Sequence, residues 1–296
     1  MNKSVNTYKK IVLVTGVGVK PVRHIFKDIK TGKPTHTSIL HDDTEYKANI
    51  GAATAFELCR EQNQVVIIGR TEDKLKIVKD WIKLSLPESS IEYICLDLSN
   101  KDSVRNFIAT LPHNKEIAWV QCVGLGGGTV QVKDDNPYLS IDNISPELIE
   151  AEMTVLKDTV YFLQELLPRF KKQKESRVCI VSSMSAVRSV PNGSIHNAAK
   201  GAISRFTNAA TIELNNKNIF ITDIRPGGVD TGLYDSKIIQ KSIIPMAQSY
   251  GTNWNKDIRL APPSSVGKVI AGIIESEAHI TSVNLVARGQ FPHEGS

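Results

Sequence analysis

Seven short, continuously apolar runs recur along the chain: IVLV at 11–14, VVII at 65–68, IEYICL at 91–96, IAWVQCV at 117–123, RVCIVS at 177–182, IFITDI at 219–224 and SVNLVA at 282–287. Stretches of helix length, residues 49–60, 71–83, 146–170 and 197–214, lie between most of them. Strands that are apolar on both faces and alternate with helices predict a parallel sheet covered on both sides. The expected fold class is therefore α/β, a Rossmann-like doubly wound parallel sheet. No internal repeat, low-complexity tract or linker divides the 296 residues, so one domain over 1–296 is expected.

Composition removes several classes of function. With 41% hydrophobic and 23% charged residues the chain is neither disordered nor fibrous. Its formal charge of +5 comes from basic residues spread along the chain. That excess suits an anionic small ligand and gives no basic block for nucleic acid. Cys59, Cys95, Cys122 and Cys179 sit far apart in apolar surroundings, so reduced, buried thiols are expected. No apolar run approaches the roughly 20 residues that span a bilayer. The expectation is a soluble, cytoplasmic protein acting on a small molecule, with neither a membrane nor a nucleic-acid partner.

One segment breaks the rhythm. After the first strand ends at Thr15-Gly16, the first helical pattern begins only at Asn49, leaving residues 17–48 between them. VRHIFKDI, KTGK and PTHTSILHD read as two extended arms around a glycine turn, a hairpin-like insertion.

In doubly wound sheets ligands bind beyond the carboxyl ends of the strands, so the residues just after each run are the candidates for chemistry. A strand, a glycine turn and a helix N-terminus together cradle a dinucleotide pyrophosphate, because glycine lets the backbone approach and the helix offers free N–H groups. Thr15, Gly16 and Gly18 supply the first half of such a turn, and Asn49, Ile50 and Gly51 the second. The second strand ends in Gly69-Arg70, where a basic residue favours the 2′-phosphate of NADP(H). The third ends at Asp97, whose carboxylate can accept from an adenine amino group.

Residues 178–206, VCIVSSMSAVRSVPNGSIHNAAKGAISRF, carry the most specific pattern. Here the chain resembles the short-chain dehydrogenase/reductase family, and the resemblance runs from about Lys10 to Ala287, interrupted chiefly by the insertion. In that family a strand ends in a catalytic serine, thirteen residues before the tyrosine of a Tyr-x-x-x-Lys motif. Ser183 occupies the serine place and Lys200 the lysine place. Arg225-Pro226-Gly227-Gly228-Val229-Asp230-Thr231 resembles the family's Pro-Gly turn, which implies that Pro226, Gly227, Val229 and Thr231 embrace the nicotinamide end of the cofactor. Positions four apart on a helix share a face, so residue 196 and Lys200 point at one spot. The resemblance implies that Lys200 holds cofactor ribose hydroxyls and lowers the pKa of a neighbouring acid.

The pattern then departs from the family. His196 stands where the tyrosine belongs, and imidazole is shorter than phenol, so one bridging water would be needed to reach a carbonyl oxygen. Imidazole suits proton transfer near neutral pH, although beside Lys200 its cationic form is disfavoured. The family's Asn-Asn-Ala-Gly is Gln121-Cys122-Val123-Gly124, and the asparagine of the following long helix is replaced near Thr154-Val155. Three functions stay open: an NADP(H)-dependent carbonyl reductase with catalytic Ser183, His196 and Lys200; a non-redox isomerase, dehydratase or cyclase; and an inactive nucleotide-binding or partner protein.

Residues 232–263 occupy the place of the family's substrate lid, and Tyr234, Ile243, Ile244, Met246, Tyr250 and Trp254 can form an apolar wall for a partly apolar substrate. His24, His36 and His41 complete no familiar ligand set, so no metal is expected. One of Lys20, Arg23 and Lys47 is a candidate for a cofactor phosphate. The long helices resemble those through which family members form homodimers and homotetramers.

Overall fold

The computed structural model describes residues 8–28, 30–124, 138–189, 192–249, 253 and 259–289, except for the side chains at 238, 242, 246, 247 and 249. All five residues of β1 (Ile11–Thr15) are buried, as a strand covered on both faces requires. Val12 and Val14 point into one apolar cluster, Ile11 and Leu13 into the other, following the two-residue period of a strand. On one side of β1 lie β5 (Gln64–Gly69) and β6 (Ser90–Cys95); on the other lie β7 (Ile117–Gln121), β8 (Ser176–Val181), β9 (Ile219–Pro226) and β10 (Ser282–Leu285). All neighbours in the resulting order β10-β9-β8-β7-β1-β5-β6 run parallel. The chain steps outward from β1 to β6 and then returns to β7, so the topological switch lies between β1 and β7.

Helices cover both faces. α1 (Ile50–Arg60), α2 (Glu72–Ser85) and α7 (Pro263–Glu275) pack on the Val12 face, whereas α3 (Lys101–Thr110), α4 (Pro146–Phe170) and α5 (Ser194–Asn215) pack on the Leu13 face. Local chemistry starts them where they begin. Ser145 caps α4, its Oγ accepting from Leu148 N at 3.2 Å, and Pro146 follows at the position where a missing N–H is harmless. The doubly wound parallel sheet expected from the alternation is thus the fold.

The insertion forms a second sheet, with a different turn from the expected one. β2 (Val19–Pro21), β3 (Ser38–His41) and β4 (Thr44–Ala48) pair antiparallel in the order β2-β4-β3. The main hairpin turns at Asp42-Asp43, whose φ angles of 45° and 57° suit a two-residue primed turn. The Gly32 turn carries only an isolated bridge, Lys27 to Pro34. Aspartate tolerates the left-handed region, so a turn without glycine was easy to miss. Ile39 and Ala48 are fully buried and join the main core, which makes this sheet part of the domain's packing.

The cysteines depart from expectation at one position. Cys59 and Cys179 are buried and Cys122 is half-buried, but Cys95 is exposed because it ends β6, the edge strand. All four are free thiols. Among the described residues, no helix is long and apolar enough to cross a membrane.

Candidate active site

The two halves of the glycine turn meet despite the residues between them. Asn49 closes the loop: its backbone N donates to Gly18 O at 3.1 Å, its side-chain amide donates to Gly16 O at 2.8 Å, and its Oδ1 accepts from Gly18 N at 3.2 Å and Ala52 N at 2.9 Å. Val19 pairs with Ala48, so the insertion leaves and returns through neighbouring residues. Gly16 has φ +80°, and a Cβ there would lie 2.5 Å from the Cys122 carbonyl carbon. A Cβ on Gly51 would lie 2.9 Å from Gly16 O. Both positions exclude a side chain, as a cradle for a pyrophosphate at the α1 N-terminus requires. Thr15 is turned inward: its hydroxyl donates to Val120 O at 3.4 Å and accepts from Trp119 Nε1 at 3.2 Å, tying β1 to β7. Ile50 is half-buried against the core, and Gly124, just past β7, has open space where a Cβ would be.

Arg70 is exposed immediately after β5. Lys74, which the sequence reading passed over, lies alongside the turn, its Cδ 3.9 Å from the site of a Cβ on Gly18. Asp97 keeps one carboxylate oxygen occupied by Ser99, through its N at 3.0 Å and its Oγ at 2.8 Å. Next to it, Asp158 of α4 is buried, and burial, reinforced by the charge of Asp97, raises its pKa to about 6.

Ser183 follows β8 and half-buries its side chain, with Oγ accepting from Ser185 N at 3.0 Å. His196 and Lys200 sit one turn apart on α5. Lys200 is buried; desolvation lowers its pKa, while Glu152, Cys122 and Asp223 oppose that shift. Glu152 is the functional neighbour that sequence reasoning missed. It lies on α4, one turn before the Thr154-Val155 position, and its Oε1 is 2.8 Å from His196 Nδ1. Both residues at the former asparagine position are buried, so the carboxylate reaches the site from the preceding turn. The only available signal was an acidic residue in an otherwise apolar helical face. Tyr138 also approaches, its ring centroid 5.8 Å from that of His196, and its hydroxyl shares a hydrogen bond with Tyr234. Burial raises the pKa of both phenols.

The Pro-Gly turn is pinned on two sides. Pro226 ends β9 opposite Leu285, Gly227 N donates to Leu285 O at 2.7 Å, and Val229 bridges Ala261. Thr231 N folds back onto Val229 O at 2.9 Å. Asp230 is fully buried and accepts from Lys47 Nζ at 2.7 Å and Thr35 Oγ1 at 2.8 Å. Asp235 accepts from the same ammonium at 2.8 Å. Lys47 therefore joins the insertion to the segment after the Pro-Gly turn, which corrects its candidacy for a cofactor phosphate: its charge is neutralised inside the protein. His36 pairs with Glu45, and His41 with Asp42 and Asp80.

Several of the residues expected to form an apolar wall pack together in a small core of their own. Ile239 and Ile243 of α6 (Lys237–Ser249) and Leu260 cluster with Tyr138 and with Phe26 of the insertion, and Tyr234 and Ile244 pack against them. The side chain of Met246, and Tyr250 and Trp254, lie outside the described residues.

A glycine cradle at the topological switch, with a buried lysine and a polar cluster at the neighbouring strand ends, defines a dinucleotide-binding α/β protein. The profile of the short chain dehydrogenase family matches residues 46–241, more than half of the chain, and the chain belongs to this family of NAD(P)-dependent oxidoreductases. The match begins within β4, because the insertion separates β1 from the rest of the pattern. An uncharacterized oxidoreductase of Staphylococcus aureus is 26% identical over 189 residues, covering 63% of this chain and 76% of its own. One from Staphylococcus haemolyticus is 28% identical over 192 residues, with 64% and 77% covered. Among solved structures, an NADPH-bound short chain oxidoreductase from Pseudomonas aeruginosa, described as containing an atypical catalytic center, superposes with a TM-score of 0.70 at 16% identity over 97% of this chain and 98% of its own. L-sorbose reductase from Gluconobacter frateurii, complexed with NADPH and L-sorbose, gives 0.65 at 16% identity over 95% and 96%.

Proposed function

We propose that the protein is an NADP(H)-dependent reductase of carbonyl compounds in which His196 takes the proton-donating place of the family's tyrosine. The observation that carries this reading is the buried Lys200 ammonium one helical turn from His196, in a fold whose glycine cradle is intact. Bound NADPH supplies the hydride. Ser183, at the end of β8, hydrogen-bonds the substrate carbonyl and orients it. Lys200 anchors ribose hydroxyls and adds positive potential where negative charge develops on the carbonyl oxygen. His196 delivers the proton to that oxygen, directly or through one water. Gly16, Gly18, Asn49, Ile50, Gly51 and Gly124 line the pyrophosphate side, Asp97 receives the adenine, and Pro226, Gly227, Val229 and Thr231 form the nicotinamide side. Arg70, with Lys74 beside the same turn, favours a 2′-phosphate and hence NADP(H). Two relatives in fold carry NADPH in their solved structures, which is consistent with this choice.

Residues 232–263 serve as the lid, with Tyr234 and the α6 isoleucines selecting a partly apolar substrate. A homodimer or homotetramer fits the family habit, and exposed Ile149 on α4 and Ile212 on α5 offer apolar surface on the helices concerned. The test is NADPH oxidation across a panel of ketones and aldehydes. The native protein should turn over at least one of them, and His196→Ala should lose about 10²–10⁴-fold in kcat, the range of general acid catalysis. Full activity in His196→Ala removes His196 as the donor. A protein that binds neither NADPH nor NADP+ overturns the reading.

A further inference from the structure

We infer that Glu152 is the positioning residue of this site: it fixes the tautomer of His196 so that Nε2, rather than Nδ1, exchanges a proton with the substrate. This rests on the proposed role of His196. The ring nitrogen Nδ1 lies 2.8 Å from Glu152 Oε1, and an ionised carboxylate only accepts, so Nδ1 is the donor. The Glu152 side chain is 1% exposed, whereas that of His196 is 12% exposed, so the carboxylate backs the ring from inside the protein while part of the ring stays accessible.

A buried carboxylate needs compensation, and among the described residues the His196 N–H and the Lys200 ammonium, which Glu152 helps to hold in its charged form, contribute to it. The Tyr138 phenol, whose ring lies 5.8 Å from that of His196, also faces Glu152 and shares a hydrogen bond with Tyr234. A carboxylate holding Nδ1–H leaves Nε2 to carry the transferable proton. In reduction the ring starts doubly protonated, with Nδ1–H on Glu152; its N–H bond at Nε2 breaks as the O–H bond of the alcohol forms. The hydride's electron pair goes to the carbonyl carbon, NADPH becomes NADP+, and His196 is left neutral with its proton on Nδ1. Glu152 takes up no proton in this step. It also meets the concern raised by the sequence, since the positive charge that Lys200 sets near the ring is balanced from α4.

The test has one arm that needs no cofactor. ¹⁵N NMR of histidine-labelled protein at alkaline pH reports which ring nitrogen holds the proton. His196 should be the Nδ1–H tautomer in the native protein and in Glu152→Gln, whose amide oxygen can still accept, and should shift to the Nε2–H tautomer in Glu152→Ala. In the kinetic arm, Glu152→Ala should lower kcat about 10²–10³-fold, with KM for NADPH changed less than threefold. Glu152→Gln should fall between native and alanine. An Nε2–H tautomer in the native protein overturns the inference, as does a Glu152→Ala kcat within threefold of native. If the native protein reduces no carbonyl compound, the proposed reaction fails while the tautomer still decides the role of Glu152. Should the alanine variant fail to fold, the glutamine variant decides: a native kcat there, or a loss of its Nδ1–H tautomer, refutes the assignment.

Discussion

Replacing Lys47 with Met deletes an ammonium that bonds two buried carboxylates, Asp230 at 2.7 Å and Asp235 at 2.8 Å. Methionine fills similar volume, so the loss is chiefly electrostatic. Removing one partner of a buried ion pair costs about 3–5 kcal/mol, because the remaining charge is stranded in a poorly polarisable interior. Each aspartate keeps other donors: Thr35 Oγ1 for Asp230, and the backbone N–H groups of Arg23 and His24 for Asp235. Those bonds keep the cost within that range even though two charges are stranded. With an unfolding entropy of about 2.1 cal/mol/K per residue, 296 residues give about 620 cal/mol/K, so Tm should fall by roughly 5–8 °C. Differential scanning calorimetry reads the shift. The triple variant Lys47→Met, Asp230→Asn, Asp235→Asn should recover at least half of it, since no uncompensated charge remains. A fall below about 2 °C in the single variant, or a triple variant no more stable than the single, would refute the reasoning.

Three further outcomes follow from the same geometry. Gly51→Ala puts a methyl group 2.9 Å from Gly16 O, so NADPH binding should weaken at least about tenfold and stability should drop by about 1–3 kcal/mol; unaltered affinity by fluorescence titration would count against the cradle. Asp158 has a folded pKa raised to about 6, so between roughly pH 4 and 6 the native state binds more protons than the unfolded chain and stability falls as pH rises. Asp158→Asn should therefore stabilise the protein at pH 7, by about 1 kcal/mol after allowance for solvent screening, and flatten urea-derived stability across that window; an unchanged slope contradicts this. Arg70→Ala should weaken NADPH about 10–100-fold and leave NADH nearly untouched, because only the former carries the 2′-phosphate; equal losses for both cofactors would remove Arg70 from that role.

By itself the sequence determined whatever depends on local pattern. Short, β-branched apolar runs bounded by turn residues, such as residues 11–14, fit buried strands, and their alternation with helices leaves little besides a doubly wound parallel sheet. The spacing of Ser183, His196 and Lys200 was equally readable, because a strand end and two positions four apart on one helix are local relations. Tertiary structure alone decided the partners. Glu152 stands 44 residues before His196, and Lys47 stands 183 and 188 residues before its two aspartates. Nothing local pairs them: an acidic residue in an apolar helical face marks Glu152 as unusual, but only packing supplies its partner. The same reason explains the insertion. Its extended character was visible, but only pairing across space closed the glycine turn through Asn49 and set Lys47 against Asp230 and Asp235. Charges that must be buried find their partners through the fold, as Glu152 of α4 does at His196 of α5 and Lys47 of the insertion does at Asp230 and Asp235.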